Sequence, residues 1–215
     1  MSRAGGPGRL VVVDHPLALH KLGLLRDHAT TTRDFRALMG ELAAFLCYEA
    51  TRDLELEPAT VETPLGPAPA WRVSGKKLGV VAVLRAGLGM LDAVLALVPV
   101  ARVGFVGVYR DERTLDPVEY YCKLPGDLAE RDVLVLDPML ARGGSASAAL
   151  ELCARQGAVR ISLLSVVAAP AGIARVHADH PEVAVYTCAV DEGLDPAGYI
   201  LPGLGDAGDR LFGTR

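Results

Sequence analysis

The 215-residue chain carries 22 lysines and arginines against 26 aspartates and glutamates, a formal net charge of −4. A mildly acidic chain lacks the basic excess with which a general nucleic-acid binder neutralises backbone phosphates, and this length suits one domain with a proper core. Cys47, Cys122, Cys153 and Cys188 are scattered without a Cys-x-x-Cys pair, which excludes the usual metal-site spacing and points to a reducing compartment.

Residues 1–9 are glycine-rich and read as a flexible tail without an apolar signal-peptide core. A short apolar strand, Leu10 to Val13, precedes a helical pattern from Leu17 to Arg26. Thr32 is expected to cap a longer helix running to about Asp53, because Phe35, Leu38, Leu42, Phe45 and Leu46 follow at helical spacing. Thr60 to Trp71 alternates prolines with β-formers and suggests a short edge hairpin. Leu78–Leu84 is a buried-type strand ending in Arg85 and a glycine turn, with a helix from Met90 to Leu97 behind it. Arg102 to Tyr109 is the next strand, closed by Arg110. Thr114 to Leu124, with Tyr120, Tyr121 and Lys123, reads as an arm or hairpin. The longest apolar region, Leu78 to Val100, contains Arg85 and Asp92 and is no simple membrane span. A cytoplasmic protein with no membrane or nucleic-acid partner is expected.

The stretch around which the chain is organised is VLVLDPMLARGGSASAAL, Val133 to Leu150. An apolar strand stops at Asp137-Pro138, and Ala141-Arg142-Gly143-Gly144-Ser145 leads into an alanine-rich helix that Gly157 should end. Glycines let backbone N–H groups approach an anion, and the helix presents its positive end to it. A glycine pair in this position is also compatible with an ordinary tight turn. What favours a site is convergence: Arg85, Arg110 and Asp137 each end a separate apolar strand. The remaining pattern is a strand from Ile161 to Val167, a helix from Ala171 to His180, and a strand from Val183 to Val190. The sum is an α/β fold, a mostly parallel central sheet flanked by helices, in which ligands bind beyond the carboxyl ends of strands.

Two nucleotide motifs are excluded. The chain has no Gly-x-x-x-x-Gly-Lys-Ser/Thr, and Gly203-x-Gly205-x-x-Gly208 lies too near the C-terminus to open a dinucleotide-binding unit. His177 and His180 have a metal-compatible spacing but read as solvated helix residues, and Asp191-Glu192 as a solvated strand end. The glycine-rich segment from about 191 to 215 is too apolar for a disordered tail, with Tyr199, Ile200, Leu204, Leu211 and Phe212. It is expected to pack as a lid whose bare peptide groups read the edge of a planar heterocycle.

The segments VLVLDPMLARGGSA, VLRAGLGMLDAVL, VGVYRDERTLDPVEYYCKLP and GYILPGLGDAGDRLFGT together resemble the uracil phosphoribosyltransferase family. DHPLALHKLGLLRD and LCYEATRDLE resemble it too, so the likeness runs from about Val11 to the end. It implies a single phosphoribosyltransferase-type domain over residues 10–215 with a β-arm and a C-terminal hood, converting uracil and 5-phosphoribosyl-1-pyrophosphate (PRPP) into UMP and diphosphate. By the same likeness Asp137, Pro138, Met139, Leu140, Ala141, Arg142, Gly143, Gly144 and Ser145 hold the ribose phosphate. Arg85 and Arg110 take the other phosphates. Ile200, Gly205, Asp206 and Ala207 form the uracil site, where Asp206 also meets the donor. Asp137, Arg110 and Asp206 are the expected catalytic residues.

The likeness further implies Mg²⁺ held mainly by PRPP rather than by a protein metal site, GTP as an allosteric activator in some members, and a homodimer or higher homo-oligomer. No general base is evident, so positioning and electrostatics carry the chemistry. The family pattern Ala-Thr-Gly-Gly-Ser has Arg142 in place of threonine here. A hydroxyl bond to a charged phosphate contributes roughly 1.5–3 kcal/mol, so its loss alone weakens donor binding about ten- to a hundredfold. Arg142 either grips the phosphate itself or points to solvent, and an active enzyme with altered donor affinity is expected. The competing reading is a weakened relative, or a pyrimidine sensor that binds RNA, on the same fold. Arg142 favours that reading, while the acidic balance and intact hood oppose it.

Overall fold

The computed structural model describes residues 8–75, 78–110 and 117–214, without the side chains of residues 110 and 117. The expected tail therefore falls, for residues 1–7, outside the described residues, as do residues 111–116 of the arm. In chain order the elements begin with β1 (Leu10–Val12), α1 (Pro16–Arg26), α2 (Thr32–Ala50), β2 (Leu56–Thr63), β3 (Gly66–Val73) and β4 (Gly79–Leu84). Next come α3 (Leu88–Leu97), β5 (Arg102–Arg110), β6 (Pro117–Lys123), β7 (Asp132–Leu136), β8 (Met139–Leu140) and α4 (Gly144–Arg155). The chain closes with β9 (Arg160–Ala168), α5 (Pro170–Asp179), β10 (Ala184–Val190), β11 (Gly193–Leu194), β12 (Ile200–Leu201) and α6 (Ala207–Phe212).

The main sheet runs β1-β10-β9-β7-β4-β5-β6, with β8 pairing on β9. Every pairing in it is parallel except β5 with β6, which is antiparallel. From β4 the chain moves outward to β5 and β6, then returns to lay β7 on the other side of β4 and continues to β9 and β10. The loops leaving β4 and β7 therefore diverge above adjacent strands, and that reversal of strand order opens a crevice at their carboxyl ends.

Alternate strand residues feed two cores because helices cover both faces. On one face Val80, Leu134, Leu164 and Tyr186 pack with α1, α2 and α3. On the other, Val81, Val135, Leu163 and Val185 pack with Ala146, Leu150 and Cys153 of α4 and Ile173 and Val176 of α5. No helix among the described residues is long and apolar enough to cross a membrane.

Several local expectations shift. Thr31, not Thr32, caps α2, its hydroxyl accepting from the Asp34 amide, and the helix stops at Ala50 rather than near Asp53. The Thr51 hydroxyl turns back to the Cys47 carbonyl at 2.8 Å and ends the turn. The proline-rich hairpin, β2 with β3, is not an edge of the main sheet but a separate two-stranded sheet. His180 is buried rather than solvated: its Nε2 lies 3.0 Å from the Ser147 carbonyl, while the Ser147 hydroxyl donates to Asp179 at 2.7 Å. With that hydroxyl proton already directed at a carboxylate, the trio staples the end of α5 to α4 and is no activated nucleophile. His177 has a buried Nε2 with no partner among the described residues, and no group there of three or more His, Cys, Asp or Glu side chains is placed to hold a metal.

Candidate active site

The apolar run of β7 is fully buried to Leu136, and the chain leaves it under tight local control. The Asp137 amide donates to the Leu164 carbonyl and its own carbonyl accepts the Ser165 hydroxyl at 2.5 Å. Pro138 is buried, and its carbonyl accepts from Val166 and Val167. These bonds fix the backbone and leave the half-buried Asp137 side chain to line a cavity of about 380 Å³.

Gly143 follows at φ +77°, where L side chains are strained, and starts α4 with no side-chain cap. The first helical amides thus end at the cavity without a capping oxygen, which is the arrangement that receives an anion. Gly144, Ser145 and Ala146 line that wall, with Met139, Leu140 and Ala141 beside them.

The facing wall comes from β4 and the hood. Gly87 brings the turn after β4 against the Leu136 carbonyl so closely that a Cβ there has no room. The Leu84–Arg85 peptide in that turn is cis. Arg85, 57% exposed, leans toward α6, with its guanidinium 5.7 Å from the Phe212 ring and 3.8 Å from the Asp209 carboxylate. Asp206 caps α6 by accepting from the Asp209 amide at 2.9 Å, and Asp206, Ala207 and Gly208 line the cavity opposite the α4 start. Arg85, Asp137, Asp206, Ala207 and residues Met139–Ser145 other than Arg142 therefore converge on one volume.

Three other expected residues, Ile200, Gly205 and Arg142, are not part of its lining. Ile200 is 3% exposed and packs in the α1–α3 core, and neither it nor Gly205 lines the cavity. Arg110 ends β5 with its backbone paired to Pro117, but its side chain lies outside the described residues. Arg142 is half-buried and neither lines the cavity nor reaches straight into solvent. Its guanidinium lies against Gly198, where a Cβ would stand only 2.9 Å from Nε. Ala197, Gly198 and Tyr199 line the cavity, and sequence reasoning assigned none of them to the site. The glycine at 198 was the available signal: it has φ +92° and makes room for Arg142. Asp191 corrects the solvated reading of Asp191-Glu192. It is buried, and Arg26 meets both of its oxygens, at 2.8 and 2.5 Å.

A carboxylate at a strand end, an amide loop opening a helix and a structured hood facing both, at the point where strand order reverses, define a phosphoribosyl-transfer type of site. The model of the uracil phosphoribosyltransferase family matches residues 12–214, and the chain belongs to that family. A uracil phosphoribosyltransferase of Caldanaerobacter subterraneus is 57% identical over 204 residues, covering 95% of this chain and 97% of that protein. One from Finegoldia magna is 55% identical over 207 residues, covering 96% and 99%. Among solved structures, the AQ2163 protein of Aquifex aeolicus shares the fold at a TM-score of 0.90 and 39% identity, covering 94% of this chain and 97% of that one.

Proposed function

We propose that the chain transfers the 5-phosphoribosyl group of PRPP to uracil, giving UMP and diphosphate in pyrimidine salvage. The observation that carries this reading is one cavity with the uncapped start of α4 and Asp137 on one side and the Asp206–Gly208 turn on the other. The relatives named above supply the base. In this reading the amides of Gly144, Ser145 and Ala146 grip the 5′-phosphate and Asp137 orients the ribose hydroxyls. The bond between the anomeric carbon and the diphosphate oxygen breaks as N1 of uracil bonds to that carbon from the hood side, and the N1 proton leaves to the departing diphosphate. Positive charge develops on the ribosyl centre, and Arg85 with Arg110 offsets the negative charge that collects on the leaving diphosphate. The hood excludes water that would otherwise capture the ribosyl centre. Backbone groups of the hood read the uracil edge, and cytosine, whose donor pattern is reversed there, leaves them unpaired.

Mg²⁺ fits this donor set. Asp137 and Asp206 offer hard oxygen ligands at the cavity without forming an all-protein cage, which suits an ion carried in on substrate phosphates. When bound, it neutralises charge on the diphosphate. Activation by GTP and a cytoplasmic location rest on the family likeness. A homodimer or higher homo-oligomer has support in the β2–β3 hairpin, whose strands contain no buried residue and which turns Leu65 and Trp71 outward. Such a two-stranded sheet is marginal by itself in water.

The test is turnover of uracil, PRPP and Mg²⁺ with and without GTP, followed as UMP, with cytosine and orotate as controls. UMP from uracil alone is expected. Its absence at any donor concentration overturns the reading.

A further inference from the structure

The hood is held by a charged joint outside the cavity lining. Asp191 follows β10 with its side chain 5% exposed, and the Arg26 guanidinium, from the last turn of α1, meets both carboxylate oxygens. The same two side chains then grasp one residue of the hood by both of its backbone polar groups. Arg26 Nη1 donates to the Gly203 carbonyl at 2.7 Å, and the Gly203 amide donates to Asp191 at 2.9 Å. Gly203 sits at φ +60° on a turn folded so tightly onto the Ile200 carbonyl that it has no room for a Cβ. Three residues later Asp206 begins the cavity-lining turn. The residue just past α1 repeats the grip: the Asp27 carbonyl accepts Arg210 Nη2 at 2.5 Å, while Nη1 of that arginine donates to the Leu204 carbonyl at 2.9 Å.

Both backbone polar groups of one buried hood residue are thus satisfied by an ion pair whose members come from α1 and from the residue that follows β10. None of these contacts involves β7, the Gly143–Ser145 loop or α4. We infer that Arg26 and Asp191 are positioning residues for the nucleobase, holding the hood at the height from which it reads the base, and that they bear on the donor only indirectly, through Asp206. This rests on the proposed uracil reading.

The experiment compares wild type, Arg26→Ala, Arg26→Lys and the double variant Arg26→Leu/Asp191→Leu. It reads both Michaelis constants, Tm, and amide hydrogen exchange of the 200–208 segment. Arg26→Ala is expected to raise the uracil KM about tenfold or more and the donor KM, which the hood touches only through Asp206, by much less, since a small misplacement of binding groups is enough for that. Lysine keeps the charge without the fork that spans three acceptors and should fall between. The double variant removes both charges, so no unpaired ion stays buried and folding recovers, yet the Gly203 amide and carbonyl stay ungripped. Its uracil KM should remain high and exchange at 200–208 fast.

Recovery of the uracil KM together with Tm in the double variant would make the pair merely structural and overturn the inference. So would a donor KM that rises in parallel. If wild type makes no UMP, the proposed function fails by itself, and exchange decides the clamp: acceleration confined to 200–208 upholds it, and none overturns it.

Discussion

Gly143→Ala puts the anion-binding loop to a quantitative test. The residue stands at φ +77°, and an added Cβ would meet the Gly172 carbonyl oxygen at 2.9 Å and the Arg175 Cβ at 3.3 Å. A left-handed conformation costs an L residue roughly 1–2 kcal/mol, and the backbone oxygen of Gly172 has little freedom to retreat. The loop therefore shifts, and the amides that follow turn away from the phosphate. Losing one hydrogen bond to a charged group costs about 1.5–3 kcal/mol, equivalent to about a ten- to hundredfold rise in the donor KM. The uracil KM at saturating donor should hardly move. For a chain of this size the strain lowers Tm by about 2–8 °C. Steady-state UMP formation and a thermal melt read both effects. A variant with wild-type donor KM and wild-type Tm would refute the assignment of this loop to the phosphate.

Four further outcomes are expected. Asp137→Asn should lower kcat/KM by roughly 10²–10³ while Tm stays near wild type, as measured by initial rates and calorimetry. Arg142→Ala should leave the donor KM within about threefold of wild type, because Arg142 leans on Gly198 outside the cavity wall; Arg142→Thr should lower it by restoring a hydroxyl beside the phosphate. The Asp179 carboxyl is held below the usual carboxylate range, first by the Ser147 hydroxyl and then by Arg175. A lowered folded-state value contributes stability that is present above the unfolded carboxylate pKa and lost as pH falls through the folded one, so Ser147→Ala should cost Tm at neutral pH and progressively less toward strongly acid pH. Burial pushes the thiols of Cys47, Cys153 and Cys188 up to about 11, 12 and 12, and only Cys122 is exposed. A thiol reagent should therefore titrate one group in the folded protein and all four in denaturant.

Legibility in the sequence followed the range of the interactions. The β7–loop–α4 unit was readable because an apolar run, an acid, a glycine pair and an alanine-rich helix all lie within eighteen residues of one another. The hood was recognisable as ordered because Leu204 and Leu211 are apolar, and both are core residues. What escaped depends on pairings between distant segments. Asp191 meets Arg26 across 165 positions and Gly203 meets Arg26 across 177, so no local pattern marks either as buried. Arg142 beside Gly198, and His180 beneath Ser147, were hidden in the same way. Such pairs satisfy polar groups only after the chain has folded, and in sequence they look like ordinary surface charges.

The two cores assign the two halves of the cavity to different neighbourhoods. Leu204, Ala207 and Leu211 of the hood are built into the layer shared with α1 and α2. Ala146 and Leu150, behind the anion loop, belong to the layer across the sheet. Substitutions that reshape the base-side wall therefore act first on a layer other than the one behind α4. A change of nucleobase preference, by selection or by design, starts in that layer and reaches the anion loop through Ala141, which packs in it, and through Arg142 against Gly198.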